Sequence, residues 1–450
     1  MIVRQGTEGR DQWMIYSLDQ MVPPDHLVRK IDQVIDFSFI YELVEDLYSE
    51  DSGRPAVDPV VLFKIPFIQY VFGIRSMRQT IEEIQVNTAY RWFLGLSPAD
   101  EVPHFTTFGK NYVRRFSDTP VFEQIFARIL KEAIDSGYVK PEDVFIDGTH
   151  VKASANKNKR MKVLVKEESR LYAELLEAEI NHLREEEGKG PLKKKEEAPA
   201  EKAIQQSTTD PEAGLFYKNH QERMFCYSAN TACDRNGFVL GVHVSAGNIH
   251  DSRNFVPLFN QVKERVGRIE SVIADAGYVT PHIAKHCFDH GTVPVLPYKR
   301  PMTRKEHFKK HEYAYDEYHD CYLCPRDRVL SYRRTDRDGY RIYASDPKDC
   351  CHCPDRNRCT QSQNTTKIIT RHIWADYLEE ADHLRHTAAN KGLYALRSQT
   401  IERVFADYKE KHGMRYTHYR GLRKVTDEAW LAFACMNMKK LANWSWRRTA

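Results

Sequence analysis

Three acidic residues, far apart in the chain, have settings suited to phosphodiester chemistry. Asp147 follows the run Val144-Phe145-Ile146 and precedes Gly148. The three apolar residues suit a short buried strand, and Gly148 lets the backbone turn sharply or approach a ligand. Asp275 repeats the pattern in Val272-Ile273-Ala274-Asp275-Ala276-Gly277. Glu402 lies in a helical stretch, Thr400-Ile401-Glu402-Arg403-Val404-Phe405. A carboxylate at the end of a buried strand is costly unless a metal ion, a helix N-terminus or an arginine compensates its charge. Three clustered carboxylates repel one another unless cations neutralise them. Hard oxygen donors with open positions select Mg2+ or Mn2+. Two such ions would activate a nucleophilic oxygen and stabilise the leaving one during phosphodiester displacement. A lone aspartate at a strand end is better explained by a turn, and three rival acids have to be weighed. Asp234 opens the turn Asp234-Arg235-Asn236-Gly237, and Asp251 is placed to cap the helix from Ser252. Glu410 lies about two helical turns beyond Glu402 and is the more serious rival.

The elements that must position these acids follow a readable order. The Asp147 strand is followed by a hairpin, Met224 to Cys233 returning over Phe238 to Val244, with Asn236-Gly237 as its turn. Then come a helix from Ser252 to Val266, the Asp275 strand, a helix from Pro281 to His290 and a strand from Thr292 to Leu296. From Tyr377 the pattern is largely helical and carries Glu402. This order suits a ribonuclease-H-like mixed α/β sheet with flanking helices, spanning residues 140–450. Two insertions interrupt it. Residues 156–216 read as a helix with Leu164, Leu171, Leu175, Leu176 and Leu183, then a charged linker from Gly188 to Lys202. Residues 300–372 are rich in cysteine and poor in strands.

Ahead of this core, residues 1–135 read as an all-α region. Ser76 is placed to cap a helix carrying Met77, Ile81 and Ile84, and a short helix from Tyr90 to Leu94 ends at Gly95. Thr106 or Thr107 is placed to cap a basic helix in which Lys110 and Arg114 share a face with Arg115 on its flank. Two helices, a turn and a short basic helix fit a helix-turn-helix DNA reader; an ordinary bundle with a solvated face fits the same residues.

Composition narrows the class. A chain of 450 residues predicts two or three domains. With 41% hydrophobic and 29% charged residues and a mean hydropathy of -0.61, the chain reads as soluble and cytoplasmic, with no membrane partner. Its longest apolar stretch, Val60 to Ile74, is too short to span a bilayer, and Met1 to Gly6 shows no signal-peptide core. A net charge of +4 barely favours nucleic acid, so a basic surface must be local. Six of the ten cysteines fall between Cys321 and Cys359. Cys321-x2-Cys324 and Cys350-x2-Cys353-x5-Cys359 have the spacing of a tetrahedral Zn2+ site, which four thiolates would close to water.

Taken together, the chain resembles the DDE transposases of bacterial insertion sequences along nearly its whole length. The resemblance is carried by Tyr90-Arg91-Trp92-Phe93-Leu94-Gly95-Leu96, Asp147-Gly148-Thr149, Ala274-Asp275-Ala276-Gly277-Tyr278 and Thr400 to Phe405 followed by Lys409. It implies that Asp147, Asp275 and Glu402 are the metal-binding triad. It also implies a cysteine-rich insert whose zinc ligands match Cys324, Cys350, Cys353 and Cys359 best. Many relatives carry a tyrosine, arginine, glutamate and lysine signature, for which Tyr394, Arg397, Glu402 and Lys409 are the candidates, with one extra residue between Arg397 and Glu402. Basic residues around the third acid, Arg403, Lys409, Arg415 and Arg420, are interleaved with aromatics, as a DNA surface requires. The expected function is metal-dependent cleavage and strand transfer at the ends of an insertion sequence, by a homodimer on double-stranded DNA. Such a protein would be nucleoid-associated when bound. The alternatives are a transposase-derived zinc protein that binds DNA without cutting, and a nuclease of the same fold.

Overall fold

The structure is a computed structural model, and it describes residues 13, 15–49, 56–166, 172–192, 201–217, 222–300 and 303–449. The N-terminal residues Met1 to Gly6, Leu171 and part of the charged linker lie outside the described residues. The described residues open with eight α-helices: α1 Leu18–Met21, α2 Leu27–Val34, α3 Phe39–Val44, α4 Pro59–Phe72, α5 Met77–Val86, α6 Thr88–Leu94, α7 Thr106–Asn111 and α8 Val121–Asp135. Local chemistry sets their ends. Ser76 Oγ accepts from the Gln79 N–H at 3.2 Å, so α5 is capped as its sequence predicts. Gly95 ends α6 at φ 72°, a conformation that favours glycine. The basic helix differs from expectation. Phe105 precedes α7 without a side-chain cap, so neither Thr106 nor Thr107 has that role. A π-helical turn, Tyr112–Phe116, continues it.

The main sheet contains β1 Asp143–Lys152, β4 Gly214–Tyr217, β5 Arg223–Cys233, β6 Val239–Ala246, β7 Ser271–Ala274 and β8 Val293–Val295. Between β1 and β4 lie β2 Arg160–Lys166, the helix α9 Ala173–Glu186 and β3 Glu201–Ser207. In the main sheet β6 pairs with β5, β5 with β1, β1 with β7 and β7 with β8. The first two pairings are antiparallel and the last two parallel. The parallel crossovers run through α10 Asp251–Val266 and α11 Pro281–Asp289. This is a mixed α/β architecture behind a helical N-terminal region. Asp234 behaves as its turn predicts: its carboxylate accepts from the Phe238 N–H at 2.6 Å and the Lys140 N–H at 2.7 Å.

Both insertions hold more strand than expected. Leu164 lies in β2, which pairs with β3 across the whole of Arg160–Lys166, so the helix starts later, at Ala173. β4, inside the same stretch, joins the main sheet through β5. The cysteine-rich stretch forms a five-stranded antiparallel sheet, β9 Ala314–Asp316, β10 Cys321–Leu323, β11 Val329–Thr335, β12 Tyr340–Ser345 and β13 Ile368–His372. Two short helices, α12 Pro347–Cys351 and α13 Arg356–Cys359, carry cysteines beside it.

The chain ends in α14 Ala375–Leu384, α15 Ala388–Ala395, α16 Ile401–Glu410 and α17 Leu422–Thr449. Buried residues of α17 include Trp430, Leu431, Ala432, Phe433, Ala434, Cys435 and Met436, so its middle is apolar around the whole circumference, as a core helix requires. It packs on α2, α4 and α8 on one side and on β6 on the other. The Asn437 amide fixes it to the sheet, accepting from Val239 N–H and donating to Val239 O, both at 2.8 Å. One hydrophobic core therefore runs from the N-terminal helices through α17 into the sheet. No single described helix is long and apolar enough to cross a membrane.

Candidate active site

The parallel pairing of β1 with β7 ends at Ile146 opposite Ala274, and the next residue on each strand is an aspartate, Asp147 and Asp275. β1 itself does not end there. Its pairing with β5 continues to Lys152, with Gly148 opposite Asn230, so Gly148 is not a turn. It makes room instead: a Cβ at position 148 would lie 2.8 Å from Asp251 Oδ1 and 3.1 Å from Asn230 Oδ1. A Cβ at Gly277 would lie 3.0 Å from Asp275 Oδ1 and 3.7 Å from Asp251 Oδ2. Asp251 thus sits between the two strand-end aspartates. It does not cap α10; that position belongs to His250, whose Nδ1 accepts from the Ser252 N–H at 3.3 Å. The signal for Asp251 was present in the sequence, an acid where a buried strand gives way to a helix. A local capping reading hid it.

Polar side chains hold this cluster from behind. Tyr278, fully buried, donates to Asn230 Oδ1 at 2.8 Å, and Asn230 Nδ2 donates to Ser228 Oγ at 3.2 Å. Asp275 Oδ1 accepts from the Gly277 N–H and Asp147 Oδ1 from the Gly148 N–H, each at 2.8 Å. Burial is the main influence on Asp147 and raises its carboxyl to about 6; Arg397 and the Gly148 N–H oppose the rise, while Asp275 and Asp251 add to it. Asp251 is likewise raised, first by burial and then by Asp275, against His150, His250 and a hydrogen bond from Ser228.

Arg397 connects the third acid. Its guanidinium pairs with Asp147 Oδ2 and, at 3.3 Å, with Glu402 Oε1. Glu402 occupies the first turn of α16, where the helix dipole favours an anion. Its side chain is 53% exposed, against 15% for Asp147 and Arg397. Asp147 and Glu402 are therefore bridged by a cation rather than by direct convergence. Glu410 points elsewhere and pairs with Arg415. His150 stacks on Phe216 with ring centroids 3.8 Å apart. Burial lowers its pKa first, against Asp251, with Lys409 also lowering it, so His150 faces both Asp251 and Lys409.

Among the described residues, no group of three or more His, Cys, Asp or Glu side chains is close enough to hold a metal ion. The donor chemistry of the acidic cluster nevertheless fits a hard divalent cation. Raising a largely buried carboxyl from its ordinary value to about 6 is an ionisation penalty on the order of 3 kcal/mol, which a bound cation would offset. Arg397 already supplies one positive charge at that place. The expected zinc ligands are only partly gathered. Cys324 and Cys350 both raise the Cys359 thiol, though burial raises it more. Cys359 Sγ lies 3.2 Å from the Tyr313 hydroxyl, Cys350 donates to Ser345 Oγ at 3.1 Å, and Cys324 Sγ accepts from the Arg326 N–H at 3.4 Å.

The expected DNA contacts fall into two groups. Lys110, Arg114 and Arg403 are exposed. Arg115 instead lies over the Tyr48 ring at 4.5 Å and donates to Asn111. Arg415 is paired with Glu410, Arg420 donates to Ser154 O at 3.1 Å, and Lys409 is half-buried with its pKa lowered chiefly by that burial.

Two family models match the chain. Residues 16–114 match a transposase domain (DUF772), and residues 323–442 match a transposase DDE domain. The second match takes in Cys324, Cys350, Cys353, Cys359, Arg397 and Glu402. No curated protein matches the chain.

Proposed function

We propose that this insertion-sequence DDE transposase cuts DNA at the ends of its element and joins those ends to a target, using divalent cations held by Asp147, Asp275 and Glu402. The family implies DNA as partner and a metal-dependent reaction. One observation carries the assignment of residues: Asp147 and Asp275 sit side by side where β1 and β7 part, and Arg397 links Asp147 to Glu402. The order of the main sheet, three antiparallel strands followed by two parallel ones, supports a ribonuclease-H-like core.

Bound at these carboxylates, Mg2+ or Mn2+ would supply Lewis acidity to a phosphodiester displacement. The protein supplies the rest. The Gly148 and Gly277 N–H groups orient Asp147 and Asp275. The buried chain from Tyr278 through Asn230 to Ser228 keeps the floor rigid, and Asp251 adds a fourth carboxylate to it. Arg397 compensates the acids before a cation arrives. Lys110, Arg114 and Arg403, exposed, and Lys409, beside the site, are suited to phosphates. A homodimer on double-stranded DNA would bring two element ends together, and Cys324, Cys350, Cys353 and Cys359 would hold a structural zinc apart from the reaction.

The test uses purified full-length protein, a duplex carrying the element end, and Mg2+. Asp147→Asn, Asp275→Asn and Glu402→Gln should each lower cleavage by about 100-fold or more while leaving binding of the end close to wild type, because phosphate contacts dominate affinity. Glu410→Gln should cleave normally. Cleavage by Glu402→Gln at near wild-type rate would overturn the triad. Cleavage without joined products would favour a nuclease, and binding with no cleavage by the wild type would favour a DNA-binding derivative.

A further inference from the structure

A second basic site lies away from the carboxylates, and neither family match assigns it a role. A cavity of about 1000 Å3 opens between the cysteine-rich sheet and α14. Arg300, Arg304, Lys305, Lys309 and Lys310 line one side of it, all exposed and all within one short stretch of chain. Its two acids are already engaged. Glu379 pairs with Arg371, and Asp382 pairs with Arg385 at 2.9 Å. Among the described residues, Arg300, Lys305 and Lys309 form no ion pair, while Glu379 also acts on Lys310. The floor is aromatic and fixed: Arg371, with a side chain only 6% exposed, lies 4.4 Å from the Tyr315 ring centroid, and Tyr322 stands 5.0 Å from Tyr315. Tyr298, at the mouth, is 55% exposed.

The place of this cavity in the fold adds a direction. Val295 on β8 pairs with Ile273 on β7, so the chain leaves the main sheet toward Tyr298 at the same edge from which Asp275 projects. A smaller cavity of about 340 Å3, lined by Leu296, Pro297 and Lys299, shares Tyr298 and Lys310 with the larger one. Cations strung along a rim, rather than converging on one point, suit a chain of phosphates more than a single anion. A recess of this size excludes a duplex but admits an unpaired strand, whose bases can lie on an exposed aromatic face.

We propose that this cleft binds a single strand of DNA, with Arg300, Lys305 and Lys309 on its phosphates and Tyr298 against a base. The proposal goes beyond the cleavage reading and does not depend on the metal assignment, since it is tested without divalent cation. Full-length protein is titrated against fluorescein-labelled oligothymidine and, separately, a labelled duplex, with anisotropy read over a range of salt. The triple variant Arg300→Ala/Lys305→Ala/Lys309→Ala should bind oligothymidine about 10-fold or more weakly, with a salt slope shallower by about 2, roughly 0.7 for each phosphate that is no longer neutralised. Its affinity for duplex should stay unchanged. Tyr298→Ala should weaken oligothymidine binding several-fold at an unchanged salt slope, because stacking releases no counterions. All four side chains are exposed, so the melting temperature should hold and serves as the control for folding. Unchanged oligothymidine affinity and slope in the triple variant would overturn the proposal. So would equal losses on both probes, which would make the rim part of a general duplex surface.

Discussion

A methyl group at position 148 would have to displace the Asp251 carboxylate or the Asn230 amide, at 2.8 and 3.1 Å. We therefore expect Gly148→Ala to lower cleavage by about 10-fold or more and to cost about 1–3 kcal/mol of stability, the usual range for overpacking a filled interior. Cleavage assays and urea melts check this, and a variant with full activity would separate Asp251 from the reaction. The same glycine shows how much of the site could be read from residues alone. The pairing of Asp147 with Gly148 was visible as a motif, as was its echo at Asp275. The reason for the glycine was not, because it lies in a side chain about one hundred residues away that only strand pairing and the α10 crossover bring near. Arg397 was legible as part of a signature, but its bridge from Asp147 to Glu402 depends on how α16 docks against β1.

Among the elements, the cysteine-rich sheet has little core of its own. Its own buried cluster holds only Tyr313, Tyr322, Leu330, Tyr343 and Ile369. A core this small would gain stability from a metal tying α12 and α13 to the strands, which is what the proposed zinc would do. Protein purified anaerobically in the reduced state should contain about one zinc per chain, the ratio for a single four-thiolate site. Cys359→Ser should lower that content and speed proteolysis between Thr303 and Arg371. Elemental analysis that finds no zinc would end this assignment and leave the carboxylates untouched. The strands themselves escaped sequence reading for a physical reason. In β11, Leu330 is buried while Ser331, Arg333 and Arg334 face outward, and much of the inward face of the sheet is tyrosine. Such a pattern resembles a polar loop until the strands are paired. The main-sheet strands other than β4, with their apolar runs, showed their nature directly.

At the scale of the molecule, Glu428 on α17 joins three parts. It accepts from the Tyr70 hydroxyl of α4 at 3.2 Å and from the Thr417 hydroxyl, while Thr417 N–H donates to Lys152 O of β1 at 2.9 Å. Burial is the chief cause that raises its carboxyl to about 7, against both hydroxyl bonds. The folded state therefore holds this proton more tightly than the unfolded chain. Its contribution is fully present below the ordinary glutamate range and is lost as pH rises through about 7. Glu428→Gln should accordingly melt higher than wild type at pH 8, by an amount on the order of 2–3 kcal/mol, with the difference closing toward pH 4. Equal melting differences at both pH values would place the effect in packing instead. Sequence patterning separated a helical N-terminal region from a mixed α/β core, but it could not reveal that a helix from the other end closes both. The apolar run Ala429 to Met436 announces burial without naming its neighbours.

That closure sets a timetable for synthesis. The eight opening helices leave the ribosome early, yet the faces of α2, α4 and α8 that meet α17 have nothing to cover them until Leu422 and its successors emerge. Roughly 300 residues separate the end of α8 from the start of α17, so at about 5–20 residues per second the nascent chain carries those apolar faces bare for roughly 15–60 s. Chaperone demand should peak in that interval, and a ribosome stalled before α17 should hold a chain whose first third is made but not yet folded shut.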